Sequence, residues 1–317
     1  MKRKVIQIAE STMLVSLPRK WVVDQKIKKG DELEVEEQGS KLIISAEKSS
    51  EEAGGSEIEV DITGLDSSTI KRVLRSVYIK GYDSIKITFN SPMTTHYRTN
   101  ENERVFSVIL EELKNLTAFE IIQQKEKFCW IKSISRPSMK EFDNLLRRIF
   151  ILIVDASNDL MSGIKNKDWI IIETVEEKHS TITKLVSYCL RLLNQRNYPD
   201  HSKINFLYHT IADLGKVMDV IKYTGRDLLE YKPSLSQQIV EMISLVNESY
   251  ALYYKLFYDF KLETIRELNK IKDEIKNTLK NQKWKNVPSR DILVVNNMVQ
   301  SLEILVDLIE ARTSMEY

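Results

Sequence analysis

DLGKVMDVI (residues 213–221) and SLEILVDLI (residues 301–309) decide how the second half of this chain is read. Set over one another, 88 positions apart, they share a Leu, an Asp and an Ile at matching places. Each lies late in a long run of apolar residues at helical spacing, and each run is the third of its kind. The C-terminal half therefore reads as one three-helix unit used twice. In the second copy Glu303 and Asp307 stand four residues apart, which puts both carboxylates on one helix face. The first copy keeps Asp219 but has Gly215 where the Glu would stand.

Outward from these stretches, the helical spacing predicts six long helices, over residues 140–163, 169–195, 202–230, 235–260, 263–281 and from 288 nearly to the end. Turn signals separate them: Lys165-Asn166-Lys167-Asp168, Asn197-Tyr198-Pro199-Asp200, Pro233-Ser234 and Val287-Pro288-Ser289. Helices of this length joined by short turns pack as antiparallel bundles, here expected over 137–232 and 233–317. Two carboxylates one turn apart suit a hard cation that takes oxygen ligands, with further donors from other helices or water. Asp273, Glu274 and Glu310 are the nearest further acids. The bland alternative is a hydrated acidic stripe. His179, His201 and His209 read as ordinary helix and turn residues without a ligand spacing.

On Leu302-Glu303 with Asp307, and in part on Leu214 with Asp219, residues 137–317 resemble the PhoU family of phosphate-uptake regulators. That resemblance implies divalent or iron-type metal ions in the bundles, held by Glu303, Asp307 and Asp219. Gly215 departs from the motif and weakens the first-unit site. The resemblance also implies docking on a phosphate ABC transporter's ATPase or on a signalling protein.

The first 48 residues read differently. Two short extended stretches, around Val5–Ile8 and Met13–Leu17, lead into Pro18 and a short helix with Pro at its first turn, where a missing N–H costs nothing. Lys28-Lys29-Gly30-Asp31 is a turn, residues 32–36 alternate as a strand, and Leu42-Ile43-Ile44 is a last strand. Ser16-Leu17-Pro18-Arg19-Lys20-Trp21, residues 30–35 (GDELEV) and Lys41-Leu42-Ile43-Ile44 together resemble the AbrB/SpoVT family of swapped-hairpin DNA-binding domains. This implies a half-barrel completed by a second chain, hence a homodimer, with DNA contacts from Arg3, Lys4, Arg19 and Lys20. A segment this short buries too little apolar area to fold alone, which fits. Ser11-Thr12 stands where the family often has a Gly-Arg pair, and Glu32, Glu34, Glu36 and Glu37 make the third strand acidic. The basic residues read either as phosphate contacts or as the solvated edge of a dimerisation module.

Between these halves, residues 49–56 (SSEEAGGS) carry no large apolar side chain and read as a linker. Residues 57–136 alternate strand and helix patterns in the order β-α-β-α-β-β, a small α+β unit with helices on one face of an open sheet. Asp66 is its expected N-cap and Gly81 its expected helix stop. The polar stretch 90–102, with His96, Tyr97 and Arg98, reads as a loop. The whole is thus a multidomain, mainly α chain.

Lys plus Arg number 47 and Asp plus Glu 46, so any attraction for nucleic acid must be local. Cys129 and Cys189 lie far apart and read as buried small hydrophobes. The N-terminus does not have the pattern of a signal peptide, and aliphatic runs such as Ile149-Phe150-Ile151-Leu152-Ile153-Val154 are too short to cross a bilayer. A cytoplasmic protein is expected. No nucleophile–base pair, glycine-rich phosphate loop or Cys/His cluster points to an enzyme. Two functions follow: a DNA-binding regulator of phosphate uptake, or an interaction protein whose N-terminal domain only dimerises.

Overall fold

The computed structural model describes residues 2–8, 12–38, 41–45, 56–135, 138–195, 198–281 and 284–317. Most of the expected linker, and the turn residues Ser11, Gly39, Ser40, Arg136, Pro137 and Asn197, lie outside them. The protein is mainly helical. It divides into two compact units, Met1–Gly55 and Ser56–Tyr317.

In the first unit β1 (Val5–Gln7) pairs antiparallel with β2 (Met13–Val15), Val5 opposite Val15. Pro18, extended at φ −62° and ψ 124°, is the N-cap of α1 (Arg19–Asp24) and so stands just before the helix rather than in its first turn. The turn after α1 is closed by Asp31, whose carboxylate accepts from Lys28 N at 2.7 Å, with Gly30 at φ +99°. β3 (Glu34–Gln38) and β4 (Lys41–Ser45) form a second, separate hairpin. None of the residues of this unit whose side chains are described is buried.

The second unit begins with β5 (Glu57–Asp61), α2 (Ser67–Lys80) and β6 (Ser84–Thr88), a crossover that sets β5 parallel to β6. Asp66 caps α2 by accepting from Ser68 N and Thr69 N, and Gly81 ends it in the left-handed region at φ 107°. The stretch expected as a loop instead pairs as a hairpin, β7 (Met93–His96) on β8 (Glu101–Arg104). Its alternation is polar, so no apolar signal marks it. Thr94, whose hydroxyl donates to Leu65 O at 2.7 Å, and Val105 N, which donates to Pro92 O at 3.0 Å, fix it in place. α3 (Val105–Leu113), β9 (Phe119–Lys125) and β10 (Phe128–Ser133) complete the layer, and the sheet runs β5-β6-β10-β9. Ile70, Leu74 and Tyr78 of α2 and Val108 and Ile109 of α3 are buried with Ile85, Ile87, Cys129 and Ile131 of the sheet. Glu112, 1% exposed, is held by a two-pronged pair with Arg75 at 2.8 and 2.9 Å, which ties α3 to α2.

Six long helices follow: α4 (Phe142–Asn166), α5 (Trp169–Asn194), α6 (Ile204–Tyr231), α7 (Gln237–Tyr258), α8 (Leu262–Asn281) and α9 (Ser289–Ser314). Asp168 and Ser236 cap α5 and α7, and Lys167 and Lys232 close α4 and α6 in left-handed geometry. Gly163 was expected to stop the first helix; it is instead where α5 crosses closely. A Cβ there would meet Ile172 Cγ1 at 2.3 Å and Asp168 O at 2.9 Å.

Like helices of the two runs meet: α4 packs on α7 and α6 on α9. Phe150 and Phe257 meet with ring centres 4.8 Å apart and planes tilted by 40°, and Asn297 donates to Asp227 at 3.1 Å. Within the second run Tyr250 shares a 2.5 Å hydrogen bond with Ser301, and Tyr253 donates to Leu308 O at 3.1 Å. One apolar cluster runs through all six helices, so each run finishes its core against the other. α9 is long and apolar enough to cross a membrane by length and composition, which the shorter runs noted in the sequence are not; its Val294, Met298, Leu302, Leu305 and Leu308 are buried in this cluster.

A buried arginine helps join the helices to the α+β layer where α2 packs on α5. Arg191, 1% exposed, donates to Tyr78 O and Tyr82 O at 2.8 Å and to Asp83 Oδ1 at 2.6 Å. Beside it Asn194 donates to Ile79 O at 2.8 Å. These side chains add donors to carbonyls in and just beyond the last turn of α2, of which Tyr78 O also accepts from Gly81 N.

Candidate functional site

Arg3 and Lys4 precede β1, and Arg19 and Lys20 open α1; all four are exposed. Glu32 and Glu37, on the same unit, are exposed as well. Around them the unit leaves its apolar side chains in solvent. Val5, Ile6, Ile8, Met13, Leu14, Val15, Val23, Val35 and Leu42 are each between 45% and 66% exposed. Covering what these nine still expose is worth on the order of 10 kcal/mol before ordering costs.

The carboxylates of the repeated motif sit in the middle of α6 and the second half of α9. Asp219 is not open to a metal in the way its position suggested. Its Oδ1 lies 2.8 Å from His179 Nε2 on α5 and 2.9 Å from Lys222 Nζ one turn on. Lys222 is itself 9% exposed and reaches His179 Nε2 at 3.0 Å. Burial works against the Asp219 charge, but the bonds from His179 and Lys222 outweigh it and hold the carboxyl at about 2. Next to this group Glu176 and Arg226 form a two-pronged pair at 2.7 and 2.9 Å.

In the second unit the paired acid is Glu303, at the position that Gly215 holds in the first, and its partners are lysines of α8. Glu303 lies 3.0 Å from Lys272 Nζ and 3.2 Å from Lys276 Nζ. Burial opposes its charge, and the two ammonium groups lower its pKa all the same. Asp307 and Glu310 are exposed, and Asp273 and Glu274 line a separate polar groove with Arg266 and Lys270. Asp219 on α6 is thus paired with His179 of α5 and Lys222 of α6, and Glu303 on α9 with two lysines of α8. A cation at Glu303 would have to displace two ammonium groups, and at Asp219 a lysine and a histidine. That donor set does not fit the metal ions the PhoU resemblance implies, and Glu303, Asp307 and Asp219 are not brought together as ligands.

The histidines also correct the sequence reading. His209 does have an acid one turn on: its Nε2 lies 3.0 Å from Asp213 Oδ2, and Lys216 reaches the other oxygen at 2.7 Å. That pair was legible as an i, i+4 spacing. Lys222, three residues after Asp219, was legible too. His179, Lys272 and Lys276 were not, because their meeting with α6 and α9 depends on how neighbouring helices are rotated. His96 caps the β7–β8 turn, its ring nitrogen 2.9 Å from Thr99 Oγ1. Both cysteines are free and buried, and burial pushes Cys129 up to about 11 and Cys189 to about 12.

Fold and surface define a multidomain, mainly helical chain with an uncovered two-hairpin unit at its N-terminus. No protein-family model and no curated relative matches it.

Proposed function

We propose that the chain is a homodimeric regulator of phosphate uptake that binds DNA through its N-terminal unit. The observation that carries this reading is the unburied pair of hairpins. Nine large apolar side chains in solvent, on a segment none of whose described side chains is buried, call for a partner, and a second copy whose hairpins interleave is the partner of matching size and chemistry. Arg3, Lys4, Arg19 and Lys20 then appear twice on one dimer, a doubled basic edge suited to the phosphates of a duplex. The phosphate-uptake assignment rests on the likeness of residues 137–317 to the PhoU family, without its metal chemistry.

Light scattering on the full chain is expected to give a dimer. Duplex binding, followed by fluorescence anisotropy, should fall steeply with salt, and Arg19→Ala with Lys20→Ala should flatten the slope by about 2 to 4. A monomer, or no binding at low salt, overturns the DNA-binding reading. The exposed Glu32 and Glu37 favour a second reading, in which the dimer docks on a transporter ATPase or a signalling protein and leaves DNA alone. A dimer that binds no duplex is its signature.

A further inference from the structure

The α+β layer holds a crevice of about 400 Å³. It opens at the carboxyl ends of the two parallel strands, β5 and β6, where the turns leading to α2 and to the β7–β8 hairpin diverge. Open sheets with parallel strands bind ligands at this edge. The floor is apolar and buried, formed by Ile62, Phe89 and Val105. On the rim stand Asn90 and Tyr97, the latter 74% exposed.

We propose that this crevice binds an uncharged ring compound with a donor–acceptor edge, of the class of a nucleobase or a nucleoside without phosphate. Four features select that class. No lysine, arginine or histidine lines the crevice. Its one acidic side chain among the described residues is Asp66, whose carboxylate is kept ionised by the Thr69 hydroxyl and already caps the α2 amides. The end of α2 that would attract a phosphate is therefore occupied by a negative charge, and anions are turned away. Asn90 has no partner among the described residues and offers one donor and one acceptor side by side, the pattern that matches a base edge. Tyr97 supplies an exposed ring face for stacking, and the apolar floor accepts the rest of a flat ligand. The neighbouring polar groups are spoken for: Thr94 on Leu65 O, Ser91 on Met93, and Thr95 on Asn102. Asn90 and Tyr97 are thus positioned as the selecting pair.

The proposal stands apart from DNA binding by the N-terminal unit, and it assigns a ligand to the α+β layer. The test titrates adenosine, guanosine, cytidine and uridine into the full chain, followed by calorimetry and saturation-transfer NMR, with adenosine monophosphate as the charged comparison. Saturable binding of at least one nucleoside is expected, weakened roughly tenfold by Asn90→Ala and by Tyr97→Ala, as loss of one base contact or one stacking face should do. The monophosphate should bind more weakly than its nucleoside. Thermal melts of both variants establish that they fold. No saturable binding by any of the four up to about 1 mM, unchanged affinity in both folded variants, or a monophosphate that binds as tightly as adenosine overturns it. None of these outcomes bears on duplex binding, which the Arg19 and Lys20 variants test separately.

Discussion

Replacing Arg191 with Met should destabilise the joint between α5 and the α+β layer by about 3 kcal/mol. The figure comes from the partners. Tyr78 O keeps a second bond from Gly81 N at 3.0 Å, so its loss is small. Tyr82 O has no second partner shown, and a carbonyl left unmade costs about 1 to 3 kcal/mol. Asp83, 30% exposed, recovers part of its loss from water. The guanidinium also lies 4.9 Å from the Tyr78 ring centre and 5.1 Å from that of Phe119, contacts worth about 1 kcal/mol together in a buried setting. Methionine refills much of the apolar stem, which sets the total near 3 rather than 5. Urea unfolding followed by far-ultraviolet circular dichroism reads the loss, and hydrogen exchange locates it. The amides at the end of α2 and the end of α5 should lose protection before those of α9. Arg191→Lys keeps the charge but not the planar fork that reaches three acceptors, and should recover less than half. A loss under about 1 kcal/mol for Arg191→Met, or exchange that rises evenly over the whole chain, would refute the claim that this side chain locks the two layers.

Two further expectations concern the motif carboxylates. The Asp219 carboxyl falls from 3.8 to about 2 on folding, worth about 2 kcal/mol unscreened; at 46% side-chain exposure about half of that survives. Because the folded pKa is the lower one, this stability is present above pH 4 and is lost as pH drops toward 2. Asp219→Asn should therefore be about 1 kcal/mol less stable at pH 7, with the gap closing toward pH 2; a gap that does not change with pH contradicts the pairing with His179 and Lys222. As for metal, exhaustive dialysis against a chelator should leave the melting temperature of the parent unchanged, since Lys222, Lys272 and Lys276 already balance these acids. A drop on chelation that is abolished in Glu303→Gln or Asp219→Asn would show that an ion sits there after all.

What the sequence disclosed depended on whether a feature is local along the chain. Asp66 as cap, Gly81 as stop and the apolar spacing of α4 to α9 each act within a turn or two, and all could be read directly. The match between residues 213–221 and 301–309 is a match of sequence, and both stretches lie on long helices, α6 and α9. The hairpin of β7 and β8 was missed because its strands alternate between polar residues, and its anchors, Leu65 O and Pro92 O, come from outside the paired strands. The motif carboxylates are the more instructive case. Glu303 and Asp307 do share a helix face, yet what a carboxylate binds is decided by whichever charges the neighbouring helix turns toward it. On α8 those are Lys272 and Lys276, four residues apart, both paired with Glu303. On α5 it is His179, 40 residues from Asp219 in the chain. An acidic pair on one helix is therefore half of a site. The basic pattern on the helix beside it, read in register, decides whether the other half is a metal ion or the protein's own side chains.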